Sequence, residues 1–141
     1  MPSKSIHIQL KNCCSETARL CGCLEAFAAE NAVPPKVLKQ INLAIEELFD
    51  NIVSYGFNDQ GDHRIDIFVA RRGDTITVRI EDDGRPFDPL AAKAPERSCS
   101  VEKCQIGGLG IYLAKKLMDL LSYRRKGNKN VVVMKKRIAA D

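Results

Sequence analysis

Three short stretches of the 141-residue chain hold residues whose types and spacing could do chemistry. In the first, Glu47 and Asn51 stand at i and i+4, so on a helix their side chains emerge side by side. A carboxylate beside a carboxamide can accept a proton and offer the hard oxygen ligand that magnesium prefers. An ordinary solvated helix flank is the plain alternative. The second stretch is Glu81-Asp82-Asp83-Gly84-Arg85-Pro86-Phe87-Asp88-Pro89. An Asp at a strand end can accept a hydrogen bond from an exocyclic amine such as that of adenine, and Gly84 lets the backbone approach a ring. The same residue types also favour a simple turn. The third is Gly107-Gly108-Leu109-Gly110, just ahead of a helix. Its exposed N–H groups and the helix N-terminus suit phosphate, with a glycine hinge as the alternative. It matches neither a dinucleotide fingerprint nor a P-loop.

The elements that must position these residues follow from periodicity. Ser5 to Leu10 alternates and reads as a strand. Ser15 to about Asn31 reads as an amphipathic helix with Ser15 as a candidate N-cap. Pro34 and Pro35 open a second helix, from about Lys36 to Ser54, that closes at Gly56. At 100° per residue Val37, Leu38, Ile41, Ala44, Ile45, Leu48, Phe49 and Ile52 share one broad arc. Lys39, Asn42, Glu46 and Asp50 lie opposite and should meet water, while Glu47 and Asn51 sit on the border. Arg64–Ala70 and Thr75–Ile80 are strands joined by an Arg-Gly-Asp turn, a hairpin. After a polar loop, Ile111–Leu121 is expected as a third helix, followed by strands around Ser122–Arg125 and Val131–Arg137 flanking Gly127-Asn128. The order β-α-α-β-β-loop-α-β-β predicts an α+β fold: a two-layer α/β sandwich, with a mixed β-sheet and helices on one face.

Composition bounds the rest. Hydrophobic residues at 45% and charged residues at 28% describe a globular chain, and the length predicts a single domain over residues 1–141. No apolar run is long enough to cross a bilayer, and the opening residues lack a secretory stretch. A cytoplasmic protein with no membrane partner is expected. The net charge is +4, and the excess lies at the C-terminal end, from Ser122 onward. Without an aromatic platform, that end reads as a solvated edge strand, Val131 to Arg137, whose lysines discourage sheet pairing, and not as a nucleic-acid footprint. Cys13, Cys14, Cys21, Cys23, Cys99 and Cys104 show no zinc-site spacing, so buried or semi-buried thiols are expected.

Taken in order, Glu47-Leu-Phe-Asp-Asn51, Asp82-Asp-Gly84-Arg-Pro-Phe-Asp-Pro89 and Gly108-Leu-Gly110 resemble the N, G1 and G2 boxes of the Bergerat-fold (GHKL, histidine kinase-like) ATPases. That superfamily includes gyrase, histidine kinases and the MutL repair proteins. Within it, the Pro-Phe-Asp-Pro tail and the segment from Ala44 to Phe57 most resemble bacterial anti-sigma factor serine/threonine-protein kinases. The match runs nearly the whole chain.

The resemblance implies ATP and Mg²⁺ as cofactors. It implies Glu47 as the base that takes the proton from the attacking hydroxyl, and Asn51 as the magnesium ligand. Asp82 becomes the adenine-reading carboxylate, with Gly84 giving the ring room. Residues 90–106 become an ATP lid, and Gly108, Leu109 and Gly110 a phosphate cradle. Arg19 matches a position often used for partner docking. The implied activity is phosphorylation of a serine on an anti-sigma factor antagonist of the STAS type, coupled to sequestration of a sigma factor, by a homodimer that does not bind nucleic acid directly. A detached histidine-kinase ATP-binding domain and a non-catalytic, nucleotide-responsive interaction module are the rival readings. One departure is the turn Gly127-Asn128-Lys129-Asn130, where many relatives carry Thr; altered nucleotide binding is the expectation.

Overall fold

The computed structural model describes residues 4–138 apart from 58, 60 and 90–108. The chain runs β1 (Lys4–Lys11), a 3-10 turn (Cys14–Glu16), α1 (Thr17–Glu30), α2 (Pro35–Tyr55), β2 (Arg64–Arg72), β3 (Thr75–Asp82), α3 (Leu109–Leu117), β4 (Leu120–Lys126) and β5 (Lys129–Arg137). The lid span, Gly108, Cys99 and Cys104 lie outside the described residues.

The five strands form one sheet in the order β1-β2-β3-β5-β4, and every neighbouring pair is antiparallel. The α+β sandwich stands as expected, but the sheet is not mixed. The reason is topological: β4, reached from β3 through α3, takes the outer edge, and the hairpin return of β5 fills the place between. Parallel β3 and β4 therefore never touch. Val131–Arg137 is for the same reason an inner strand and not the edge that its lysines suggested.

Alternation along each strand sends Ile65, Ile67, Val69, Ile76, Val78 and Ile80 to one face, where they are buried with Leu20, Leu24, Ile45, Phe49 and Ile111 of the helices. α2 opens with Pro35 in its first turn and closes on Gly56, whose N–H bonds the Ile52 carbonyl. Its apolar arc is buried as the periodicity requires, apart from Leu38 and Ile52, which are half-buried. Asn42 and Glu46 are not on a free face, however: Asn42 Nδ2 donates to Glu46 Oε2 at 2.9 Å and contacts Cys21 Sγ at 3.5 Å, because α1 packs across that side.

Three local expectations change. Ser15 lies inside the 3-10 turn, and the residue before α1 is Glu16, with no side-chain cap. Cys13 and Cys14 are exposed, while Cys21 and Cys23 are half-buried. The third helix ends at Leu117, and Leu120 and Leu121 already belong to β4. Asp119 makes that switch, its N–H bonding the Lys135 carbonyl and its carboxylate accepting from Arg137 N–H.

Candidate functional site

Two clefts meet on α2. The wider, of about 350 Å³, is lined by Glu47, Asp50, Asn51, Ser54, Tyr55, Gly110 and Leu113. α3 packs on α2 here, and the absence of a side chain at Gly110 permits the approach. A methyl group added at Gly110 would overlap Glu47 Oε2 and stand 3.3 Å from Glu47 Cβ. The Glu47 carboxylate thus lies against the first turn of α3. Partial burial raises its pKa above the usual carboxylate range, and the nearby Asp50 charge adds to the effect. Asp50 itself is raised by burial.

The narrower cleft is an apolar slot bounded by Leu48, Ile52, Phe87, Pro89 and Val132, with Asp82 and Asn130 as its polar members. Its free space, about 20 Å³, is room for about one water. Admitting a ring therefore requires the slot to widen. Asn51 and Tyr55 border both clefts, so the two form one continuous path. Asn51 is held by its Nδ2, which donates to the Glu47 carbonyl at 2.8 Å. That fixes the carboxamide and leaves Oδ1 buried with no partner among the described residues. An orphaned acceptor of this kind can take a water or an ion.

Asp82, 4% exposed, ends β3 at the foot of the slot. Its Oδ1 accepts from Gly84 N–H at 2.9 Å and from Asn130 Nδ2 at 3.1 Å. Burial pushes its pKa up, against the pull of those two donors. Gly84 is required by space: a methyl there would overlap the Gly56 carbonyl oxygen and stand 2.9 Å from Asp82 Oδ1. Arg85 N–H bonds that same carbonyl, and Arg85 Nε bonds the Tyr55 carbonyl. The turn after β3 is thereby tied to the C-terminal end of α2.

Asn130 is the residue that sequence reasoning left without a role in this network. It faces Asp82 in register across β3 and β5. Besides Asp82, its Nδ2 donates to the Arg85 carbonyl at 2.8 Å, and its Oδ1 accepts from Tyr123 Oη at 2.6 Å and Arg125 Nη1 at 3.2 Å. Arg125 also donates to the Gly84 carbonyl at 2.7 Å. The usable signal was its parity in β5, which puts it on the core face. Asp50, one turn from Glu47, is exposed as expected, and it also lines the wide cleft.

Of the residues singled out from sequence, Glu47, Asn51 and Gly110 come together in the wide cleft, and Asp82, with Gly84 bonded to it, lies at the slot. Leu109 begins α3. Arg19 lies elsewhere, on α1, where Glu16 at 2.9 Å and the Gln9 carbonyl hold its guanidinium. That pairing, with a Lys11 N–H bond, lowers the Glu16 pKa to about 2. Among the described residues no cluster of His, Cys, Asp and Glu could hold a metal, and no helix is long and apolar enough to cross a membrane.

Comparison with known proteins bears on this geometry. The serine/threonine-protein kinase BtrW of Bordetella bronchiseptica is 28% identical over 107 residues, covering 76% of this chain and 75% of the relative. A serine-protein kinase RsbW of Listeria monocytogenes is 28% identical over 100 residues, 68% of this chain and 64% of the relative. The chain thus spans a little under two thirds of that kinase. A crystal structure of the RsbU and RsbW domains of a Mycobacterium tuberculosis protein shares the fold, with a TM-score of 0.70 at 18% identity, covering 99% of this chain and 34% of that one. The profile of the histidine kinase-like ATPase domain matches residues 12–136. With the two clefts on α2 and the Asp-x-Gly turn in place, this chain belongs to the histidine kinase-like ATPase domain family.

Proposed function

We propose that this chain is an ATP-dependent protein serine kinase of the anti-sigma factor type, working in the cytoplasm as a homodimer. Its substrate is a serine of a STAS-type antagonist protein, and it also sequesters a sigma factor. The whole chain acts as one ATPase domain. The names of the relatives support the activity, and the observation that carries the reading is Asn51. Its orphaned Oδ1 stands where an apolar slot ending at a buried carboxylate joins a cleft containing a second carboxylate and the head of a helix. A base, a metal-bridged phosphate chain and a proton acceptor need that sequence of environments.

In this reading the slot takes adenine, whose exocyclic amine donates to Asp82, with Gly84 keeping the turn clear of the ring. Phosphates lie in the wide cleft, where the first-turn N–H groups of α3 favour negative charge. Asn51 Oδ1 is a hard oxygen suited to Mg²⁺, and the ion would neutralise phosphate charge when bound. The Glu47 carboxylate takes the proton of the incoming serine hydroxyl as its oxygen bonds to the γ-phosphorus and the bond to the ADP oxygen breaks. Such transfer depends on positioning and charge neutralisation more than on covalent help from the protein. A raised pKa suits Glu47 to the task, because a base works best with a pKa nearer the operating pH. A module that only binds nucleotide has no use for that carboxylate. Arg19, exposed on α1, is the proposed docking contact for the protein partners.

The test is transfer of labelled phosphate from ATP·Mg to a serine of a STAS-type antagonist. Wild type should label it. Glu47→Gln should keep ATP binding and lose transfer by about 10²–10⁴-fold. Equal transfer by the variant would overturn the assignment of the base.

A further inference from the structure

The sheet has a second face that the helices leave uncovered, and it is strongly basic. Strand register places Arg72 of β2, Arg79 of β3, Lys135 and Arg137 of β5 and Arg124 and Lys126 of β4 on it, and all are exposed. Its carboxylates are Asp66, buried and bonded to His7 Nε2 at 2.8 Å, and Glu81, paired with Arg79 at 2.7 Å and Lys129 at 3.9 Å. Among the described residues Arg72, Arg124, Lys126 and Lys135 have no acidic partner. The middle of the face is an open trough of about 800 Å³ whose lining includes Ser5, His7, Phe68, Thr77, Arg79 and Lys135. The nucleotide clefts lie on α2, on the opposite side of the sheet.

We propose that this face is a docking surface for an acidic segment of a partner polypeptide, separate from the nucleotide clefts. Charge complementarity selects the occupant. A second copy of this chain related by a two-fold axis would oppose like charge to like charge. Nucleic acid fits less well. Phe68 has no free ring for a base, being stacked on His7 at 4.2 Å between centroids and flanked by Arg79 at 4.2 Å. An acidic polypeptide needs no ring to stack on. Its carboxylates can reach the lysines and arginines, and its main chain can pair with the Thr75 and Thr77 hydroxyls of β3. Docking here leaves the path from Asp82 to Glu47 open, so a partner can be held while nucleotide enters and leaves.

The experiment uses the full chain and a fluorescent oligoglutamate peptide, read by anisotropy. Wild type should bind it, with affinity falling as salt rises from low to physiological levels. The triple variant Arg124→Glu/Lys126→Glu/Lys135→Glu should weaken binding about tenfold or more, since rim charges set both encounter and register. Its neutral counterpart, Arg124→Gln/Lys126→Gln/Lys135→Gln, should lie between and guards against a folding defect. ATP affinity should stay within about twofold, because none of the three borders a cleft. Lys36→Glu/Lys39→Glu on α2 is the charge-reversal control away from the sheet and should bind as wild type does. Equal loss in that control would overturn the proposal, as would no peptide binding at all. Tighter binding of duplex DNA or of phosphatidylserine vesicles through the same residues would overturn the partner class. A change of oligomeric state in the triple variant would show the face to be a self-interface and overturn the proposal too.

Discussion

The carboxylate of Glu47 rests against the backbone of Gly110, so that α2 and α3 meet with no side chain between the proposed base and the head of the helix. Only the absence of a Cβ at position 110 allows this. Gly110→Ala should therefore push the carboxylate aside. The displaced atoms are the free end of a side chain, so unfolding free energy should change by under about 1 kcal/mol. Phosphotransfer should fall about 10²-fold, the usual consequence of misplacing a reacting group by an ångström. Chemical denaturation and a single-turnover assay on one preparation separate the two effects.

Asp50 provides a pH test of Glu47. Burial and the Asp50 charge hold the Glu47 pKa up, and the base works only when ionised, so transfer should rise with pH through that raised value. Asp50→Asn removes the neighbouring negative charge. The acid limb of the rate profile should then move to lower pH, with the plateau little changed. A limb that stays put or moves upward would mean that Glu47 does not set it.

Asp82 separates binding from stability. Its pKa is raised by burial, so the folded protein favours the protonated form. That contribution is fully present below the ordinary carboxylate pKa, about 3.9, and is lost as pH rises through the raised value. Asp82→Asn stays neutral at every pH, and its Oδ1 can still accept from Gly84 and Asn130. Stability near pH 7 should equal or exceed that of wild type. ATP binding should fall by about 10²-fold, because a charge-assisted hydrogen bond worth about 1.5–3 kcal/mol is lost and an amide donor faces the adenine amine. Thermal melts and calorimetry across pH check both halves.

Gly84→Ala should behave in the opposite way. Its methyl meets the Gly56 carbonyl, a backbone atom pinned by Arg85 N–H, which cannot swing aside. A cost of about 1–3 kcal/mol in stability is expected, read as a lowered denaturation midpoint.

The sequence-derived picture was sound where local chemistry decides. α2 was legible from its 3.6-residue period and its Pro35 and Gly56 ends, and the β2–β3 hairpin from Gly73, whose φ is +59°. It failed where distant pairing decides. Leu120 and Leu121 extend an apolar helical pattern, yet the bonds from Asp119 to β5 draw them into a strand. The pairing of Asp82 with Asn130 depends on β3 lying beside β5, an order that the crossover through α3 creates and that local pattern does not contain. The motif residues of α2 and the Asp-x-Gly turn could be found from types and spacing. The side chains that brace them, Asn130, Tyr123 and Arg125, could not.

The central claim is a nucleotide path organised on Asn51, and calorimetry of ATP with and without magnesium, on wild type and Asn51→Ala, tests it most directly. The account predicts ATP binding that needs magnesium and that weakens by at least about tenfold in the variant, as loss of a metal-supporting group does. Magnesium-dependent binding of equal strength in Asn51→Ala, or no ATP binding by the wild type under either condition, would contradict it.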